Sequence, residues 1–177
     1  ACTVGGFGLW SLRTFIAGQM RLFPPIDTGD VTLVAVTGVH VDATQQALQR
    51  SMAGLRFRQV KLIASMPPSR PDPRIEQIAI PPMTLADYNR FILYELHRHI
   101  DTAHVLIVQA DGFVLNPRRW RPDWLSYDYI GAPWPPMRPH GGGLVPRRNR
   151  VGNGGFSLRS RRLLQLVADH PGSHEHD

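Results

Sequence analysis

The chain has 177 residues, of which 42% are hydrophobic and 19% are charged. This composition is typical of one globular domain and excludes a disordered chain, while sixteen prolines and sixteen glycines exclude a helical bundle or a coiled coil. The net charge is +6, and Lys61 is the only lysine among twenty basic residues. Because arginine binds phosphate and carboxylate through paired hydrogen bonds, three interpretations of this charge stay open: a nucleic-acid partner, a nucleotide diphosphate, or ordinary surface arginines.

Two features concern the compartment and the ends of the chain. A single cysteine, Cys2, excludes an intrachain disulfide and a thiolate metal cluster, and it fits a reducing, cytoplasmic compartment. Every apolar run is far shorter than the roughly 20 residues of a transmembrane helix. Residues 1–20 lack the pattern of a signal peptide, and we expect residues 1–29 to form a poorly ordered appendage before a domain at residues 30–177.

The first regular elements are strands alternating with a helix. Val31–Thr37 is a β-branched apolar run between glycines, which is typical of a buried parallel strand. Asp42 and Gln45 resemble a capping box, which predicts a helix over Ala43–Met52. Two more strands are predicted on either side of a proline-rich loop, at Val60–Ala64 and Arg74–Ile80.

The second half of the chain begins with the longest predicted helix. Thr84 with Asp87 opens this helix, which extends to about Ile100 and carries an apolar stripe. Strands are then predicted at His104–Gln109, Asp128–Gly131 and Val151–Leu158, and a basic amphipathic helix at Ser160–Asp169. Residues 135–150 are rich in proline, glycine and arginine without apolar periodicity, which predicts a mobile loop. The alternation predicts an α/β sheet that is parallel in its first half.

The end of the fourth predicted strand is the first candidate site. Gln109-Ala110-Asp111-Gly112 follows a fully apolar run, and ligands of open α/β sheets bind at the carboxyl ends of strands. A carboxylate there suits a hard cation such as Mg²⁺ or Mn²⁺ together with diphosphate oxygens. An ordinary Asp-Gly turn is the alternative.

A glycine-rich block near the end of the chain is the second candidate. Gly152, Gly154 and Gly155 leave a backbone that can bend or approach a ligand closely. A glycine-rich bulge or hairpin is the alternative. Trp134, between prolines, is the aromatic residue that best suits a binding site, because an aromatic face stacks on sugar rings.

Three blocks of sequence together resemble one family. They are HVLIVQADGFVLNPRRW (His104–Trp120), YDYIGAPW (Tyr127–Trp134) and VGNGGFSLRSRRLL (Val151–Leu164). The family is the domain of unknown function 5672 family, whose members look like glycosyltransferases of the nucleotide-sugar-binding GT-A fold. The resemblance extends from about Val31 to the end of the chain. It implies a mixed, mainly parallel sheet flanked by helices, in a domain that lacks C-terminal structure.

The resemblance also implies a donor site. GT-A enzymes hold a metal through a D-x-D-like motif, and the matching triplet is Gln109-Ala110-Asp111, so Asp111 would bind Mn²⁺ or Mg²⁺. Gln109 stands where a first carboxylate is usual. The implied donor is a nucleotide sugar, foremost a UDP-sugar, and its implied contacts are Val36, Thr37, Gln109, Asp111 and Gly112.

The acceptor side and the catalytic base follow from the same resemblance. The implied sugar or acceptor contacts are Trp134, Asn153, Gly154, Gly155 and Phe156. Glu175 and Asp177 lie about where an acidic base is usual, and the acceptor would be a carbohydrate or other glycan. Two alternatives stay open: a catalytically inactive nucleotide- or sugar-binding relative, and an Arg-rich nucleic-acid-binding module. We expect no nucleic-acid partner, because no recognition motif accompanies the arginines.

Overall fold

A six-stranded sheet forms the centre of the fold. The computed structural model describes residues 24–133, 137–140, 143–146 and 151–170. In chain order, the strands are β1 (Ile26–Asp27), β2 (Val31–Thr37), β3 (Leu55–Arg56), β4 (Gln59–Ala64), β5 (Glu76–Ala79), β6 (His104–Ile107), β7 (Tyr129–Pro133), β8 (Met137–His140), β9 (Gly143–Pro146) and β10 (Val151–Ser160). The central sheet has the order β5-β4-β2-β6-β10-β7.

The sheet is parallel over its first four strands and antiparallel at one side. β5, β4, β2 and β6 pair in parallel, whereas β10 is antiparallel to β6 and β7 is antiparallel to β10. The predicted α/β class with a mixed, mainly parallel sheet is therefore confirmed. β1 pairs with β3, and β8 pairs with β9, in two small separate sheets.

Helices cover both faces of the sheet. They are α1 (Val41–Met52), α2 (Leu85–Arg90) and α3 (Arg161–Asp169), with short 3₁₀ turns at Pro117–Arg119 and Pro122–Ser126. After α2 the chain stays helical, first with π-helical geometry over Phe91–Glu95 and then with 3₁₀ geometry over Leu96–His99. All of β2 is buried, because alternate residues face two cores. One core contains α1 side chains. The other contains side chains of α3 and of the long helical segment, which is the continuous helical stretch of residues 85–99.

The predicted start of the long helix is confirmed in atomic detail. The backbone N–H of Asp87 donates to the Thr84 hydroxyl at 3.2 Å, and the Asp87 carboxylate accepts from the Thr84 backbone N–H at 2.9 Å. These reciprocal bonds form a capping box. The strands predicted at Val31–Thr37 and Val60–Ala64 are also present, the second beginning one residue earlier.

The predicted start of α1 was wrong. The helix begins at Val41, after His40 in the left-handed conformation with φ 53°, and no side chain caps it. Asp42 instead accepts hydrogen bonds from the backbone and hydroxyl of Ser69, both at 2.7 Å. The carboxylate therefore ties the proline-rich loop to α1 and does not cap the helix.

The prediction of a mobile loop over residues 135–150 was also wrong in part, because residues 137–140 and 143–146 pair as an antiparallel hairpin.

Nearer the N-terminus, Ile26–Asp27 lies inside the predicted appendage but pairs with Leu55–Arg56, and Thr28 is buried. Residues 1–23 lie outside the described part. Among the described residues, no helix has the length and apolar character needed to cross a membrane.

Candidate functional site

A cleft lies at the carboxyl ends of β2 and β6, where the strand order reverses. From β2 the chain proceeds outward through β4 to β5 and then returns to β6 on the other side of β2. Open α/β sheets bind ligands at such a switch point. The cleft has a volume of ≈ 520 Å³ and is lined by Val36, Thr37, Gly38, Val39, His40, Thr44, Met83, Thr84, Leu85, Tyr88, Gln109, Ala110 and Asp111. Four of the predicted donor residues, Val36, Thr37, Gln109 and Asp111, are therefore brought together.

The β2 wall of the cleft is a tight turn. The Thr37 hydroxyl accepts from the Val39 backbone N–H at 3.1 Å and donates to the Val39 carbonyl oxygen. At Gly38, an added Cβ would stand 3.1 Å from Cγ and 3.2 Å from the carbonyl oxygen of Met83. Only glycine leaves the neighbouring segment unmoved here.

The β6 wall is a second tight turn that carries Asp111. The backbones of Gln109 and Gly112 exchange hydrogen bonds of 3.0 and 3.1 Å, which places Ala110 and Asp111 at the tip of the turn. The Asp111 side chain is exposed and belongs to the cleft lining. The motif therefore forms a turn, and the same turn presents the Asp111 carboxylate to the cleft, while the role of Asp111 as a metal ligand stays a prediction.

Gln109 is held by protein contacts. Its side-chain amide nitrogen donates to the Tyr88 hydroxyl oxygen at 2.7 Å. Burial raises the pKa of that hydroxyl, and the hydrogen bond with Gln109 opposes the rise. A Cβ added to Gly155 would overlap the Gln109 amide oxygen and stand 2.8 Å from Cδ. Gln109 therefore joins α2, β6 and β10 at the inner side of the cleft.

The glycine block accommodates polar side chains of the protein itself. The Ser157 hydroxyl donates to the Gly154 carbonyl at 2.9 Å, and a Cβ added to Gly154 would stand 2.9 Å from Nη2 of Arg159. Arg159 and Gln109 therefore occupy the space beside these two glycines, and the predicted ligand contact at Gly154 and Gly155 stays a prediction. Of the two glycines, Gly155 lies next to Gln109 of the cleft lining.

Gly112 and Phe156 are not among the lining residues given above. Gly112 lies in the β6 turn beside Phe156, whose Cβ would be 3.4 Å from a Cβ added to the glycine. Phe156 lines a separate apolar cavity of ≈ 430 Å³ together with Trp120 and Trp124. Asn153 pairs with Ala132 through the β10–β7 ladder. The predictions for Trp134, Glu175 and Asp177 fall outside the described residues.

The lining of the cleft offers one carboxylate to a dication. Among the described residues, no three His, Cys, Asp or Glu side chains are grouped as a metal site, and Asp111 is the one carboxylate of the lining given above. Mg²⁺ commonly uses one or two carboxylates and takes its other ligands from water and substrate phosphates. The residues therefore fit a metal that binds together with a diphosphate.

Two residues next to the cleft were missed by the sequence analysis as site residues. Tyr88 lies within the helix predicted from Thr84 to about Ile100 and Arg159 within the block Val151–Leu164, and neither was predicted as a site residue. The alternation of β10 contains a signal for Arg159: Leu158 faces the α1 core, so its neighbours Ser157 and Arg159 face the opposite side of the sheet.

The comparisons with known proteins identify a family. Residues 76–176, more than half of the chain, match the family described as "Protein of unknown function (DUF5672)". The chain belongs to the DUF5672 family. No curated protein matches this DUF5672 chain in sequence.

One similar solved structure is the mannosyltransferase PcManGT from Pyrobaculum calidifontis, in complex with GDP-Man and Mn²⁺. It is 13% identical in sequence, with a TM-score of 0.35, and the match covers 71% of the DUF5672 chain. The match spans 43% of the mannosyltransferase chain.

Proposed function

We propose that the protein is a GT-A-like glycosyltransferase that binds a nucleotide sugar in the cleft and moves the sugar to a carbohydrate acceptor. One observation carries the proposal: Thr37 and Asp111, from the ends of two neighbouring parallel strands, line the same cleft at the switch point of the sheet. Nucleotide ligands of α/β sheets bind at this position. The family resemblance of the 104–120, 127–134 and 151–164 blocks agrees with it.

The donor side has distinct tasks for its residues. Val36 and Thr37 would contact the nucleotide, and Asp111 would hold Mn²⁺ or Mg²⁺ against the diphosphate. When bound, such a cation stabilises the negative charge that develops on the leaving diphosphate. Gly112 would contact the donor from the turn that carries Asp111, and Gln109 would contact it through an uncharged amide.

The acceptor side rests on residues that remain predictions. Gly154, Gly155, Asn153, Phe156 and Trp134 would contact the transferred sugar or the acceptor. Transfer with inversion requires a carboxylate that accepts the proton of the attacking hydroxyl, and Glu175 and Asp177 are the candidates. The donor base would be uracil or guanine: the first follows from the family resemblance, and the second is the base of the ligand in the mannosyltransferase.

The substitution Asp111→Asn tests the donor site. It removes the charge that holds a dication and keeps the shape of the turn, since Asn also suits a turn before Gly. We expect Mn²⁺-dependent affinity for UDP or GDP to fall at least tenfold, which is about 1.4 kcal/mol, with unchanged stability. Isothermal titration with Mn²⁺ and then with chelator measures this effect.

A matched control is Asp123→Asn, which alters an exposed carboxylate paired with Arg121 outside the cleft lining. It should keep the wild-type nucleotide affinity. Equal affinities of wild type and Asp111→Asn in the presence of Mn²⁺ would contradict the metal role of Asp111.

A catalytically inactive binding protein is the second candidate, and Gln109 favours it. The residue stands where GT-A enzymes usually have a carboxylate, and its amide is bound to Tyr88, so the cleft lacks one negative charge for a metal. The same titrations followed by an assay of donor hydrolysis separate the two candidates. Nucleotide binding without release of sugar from any donor in a UDP- and GDP-sugar panel supports the inactive protein.

A further inference from the structure

Arg159 is a buried cation beside the cleft. It lies near the end of β10 and is 9% exposed, on the face of the sheet covered by the long helical segment and α3. Its guanidinium carbon stands 5.5 Å from the ring centre of Tyr129. Burial lowers the pKa of the Arg159 guanidinium from its usual value, since a charged group loses its hydration there.

The described contacts of Arg159 are all to neutral groups. Nε donates to the Ser157 hydroxyl at 3.1 Å, and Nη2 donates to the Gly154 carbonyl at 3.4 Å. Within the described residues, no carboxylate forms an ion pair with it. The other buried cation, Lys61, has Glu76 and Asp101 oxygens each at 3.7 Å. Buried charges are ordinarily paired, so Arg159 is the exception.

The surroundings of Arg159 connect it with the cleft. Burial raises the pKa of the Tyr88 hydroxyl at the cleft, and the hydrogen bond with Gln109 and then the positive charge of Arg159 oppose this rise. The missing Cβ of Gly154 leaves the space next to Nη2, and the missing Cβ of Gly155 leaves the space for Gln109. Arg159 therefore contacts the Gly154–Gly155 segment of β10, and Gly155 of the same segment adjoins Gln109 of the cleft lining.

We propose that Arg159 is an anion-binding residue of the cleft, taking a phosphate or carboxylate group of the bound ligand. An anion here supplies the counter-charge that the described protein lacks, and a guanidinium binds either group through two parallel hydrogen bonds. This inference rests on the proposed function, because it assigns Arg159 to the ligand in the same cleft. The anion is either the diphosphate or an acidic group on the transferred sugar.

The first test uses inorganic pyrophosphate with chelator present, so that no metal at Asp111 contributes. The variants are Arg159→Gln, Arg159→Lys and the control Arg161→Gln, which changes an exposed arginine two positions later. We expect affinity for pyrophosphate at least tenfold weaker in Arg159→Gln, an intermediate loss in Arg159→Lys and no change in the control. Calorimetry measures affinity, and urea unfolding measures stability.

Stability separates an anion site from a structural arginine. If Arg159 binds a ligand, Arg159→Gln removes an unpaired buried charge, and the variant without ligand should be as stable as wild type or more stable.

A second experiment compares the binding of UDP-glucose with that of UDP-glucuronic acid. A preference for the acidic sugar that Arg159→Gln abolishes assigns the anion to the sugar, whereas Arg159-dependent pyrophosphate binding assigns it to the diphosphate.

The inference is overturned if Arg159→Gln binds pyrophosphate and UDP-glucuronic acid with wild-type affinity. It is also overturned if the wild-type protein binds neither of these two ligands. Loss of pyrophosphate binding in Arg159→Gln and Arg161→Gln alike also overturns it, because the binding would then be a general surface effect. Arg159-dependent binding of pyrophosphate without any binding of nucleotide sugars keeps this inference and contradicts the proposed function.

Discussion

Gly155 leaves the space that the Gln109 side chain occupies at the inner side of the cleft. A Cβ at this position would overlap the amide oxygen and stand 2.8 Å from Cδ of Gln109. The amide cannot move away freely, because its nitrogen donates to the Tyr88 hydroxyl at 2.7 Å. The absence of a Cβ at Gly155 of β10 thus allows Gln109, at the end of β6, to reach Tyr88 of α2.

Gly155→Ala should therefore destabilise the protein by about 1–3 kcal/mol, the usual range for an overpacked interior. The same substitution in a Gln109→Ala background should cost much less, because the overlapping amide is gone. Urea unfolding of the two single variants and the double variant gives the coupling energy. Gly112→Ala is the control, since its Cβ would meet Phe156 at an ordinary 3.4 Å. Additive effects of Gly155→Ala and Gln109→Ala would contradict the contact.

At the scale of elements, polar side chains join the proline-rich loop to α1. The Gln45 amide donates to the Arg70 carbonyl at 2.9 Å and accepts from the Asp72 backbone N–H at 3.1 Å. Asp72 then accepts from Gln49 and from the Arg74 guanidinium. The Arg74 guanidinium holds the pKa of the Asp72 carboxyl well below its usual range.

This lowered pKa predicts an acid-dependent loss of stability. A carboxyl whose pKa is lower in the folded state stabilises the fold above its unfolded pKa of about 3.9, and the contribution disappears as the pH falls further. Asp72→Asn should reduce the unfolding free energy at pH 7 by up to about 1 kcal/mol, since Arg74 is exposed. Its difference from wild type should shrink between pH 5 and pH 2, and Arg74→Gln should behave alike. Parallel pH profiles of wild type and both variants would contradict this.

The elements that the sequence predicts well depend on local patterns. Val31–Thr37 is rich in β-branched and apolar residues because both of its faces are buried, and Thr84 caps its helix through Asp87, three positions away. The start of α1 could not be predicted, because Asp42 bonds with Ser69, which is 27 positions distant. The β8–β9 hairpin has no apolar alternation to indicate it.

The residues of the candidate site also differ in whether the sequence could place them. Strand ends of a parallel sheet meet at one edge, so Thr37 and Asp111 could be placed together from the sequence. The position of Arg159 depends on the antiparallel register of β10 against β6, which pairs it with Val105. The contact between Gln109 and Tyr88 depends on how α2 lies on the sheet. The alternation of β10 indicates only the face on which Arg159 lies, and neither its register nor the contact between Gln109 and Tyr88 leaves a pattern along the chain.

At the scale of the whole molecule, many of the described arginines are paired with carboxylates. Five such pairs involve exposed arginines: Arg56 with Asp27, Arg74 with Asp72, Arg98 with Glu95, Arg121 with Asp123, and Arg162 with Asp128. Each pair is a local dipole with little net charge. The carboxylates of these pairs are already counted in the net charge of +6, so the pairs leave that charge unchanged but place an anion beside each of the five arginines.

This charge pattern predicts weak binding to nucleic acids. A dedicated module with about six to ten phosphate contacts gives a slope of roughly −5 to −9 in a plot of log affinity against log salt. The paired arginines keep their carboxylate neighbours, so few of them can displace counterions from phosphates, and we expect a slope weaker than about −2. Gel shifts with duplex DNA and single-stranded RNA at several salt concentrations measure it, with nucleotide affinity followed at the same concentrations. A steep slope with tight binding would instead favour the nucleic-acid-binding alternative, because such binding requires a continuous cationic surface that these ion pairs do not provide.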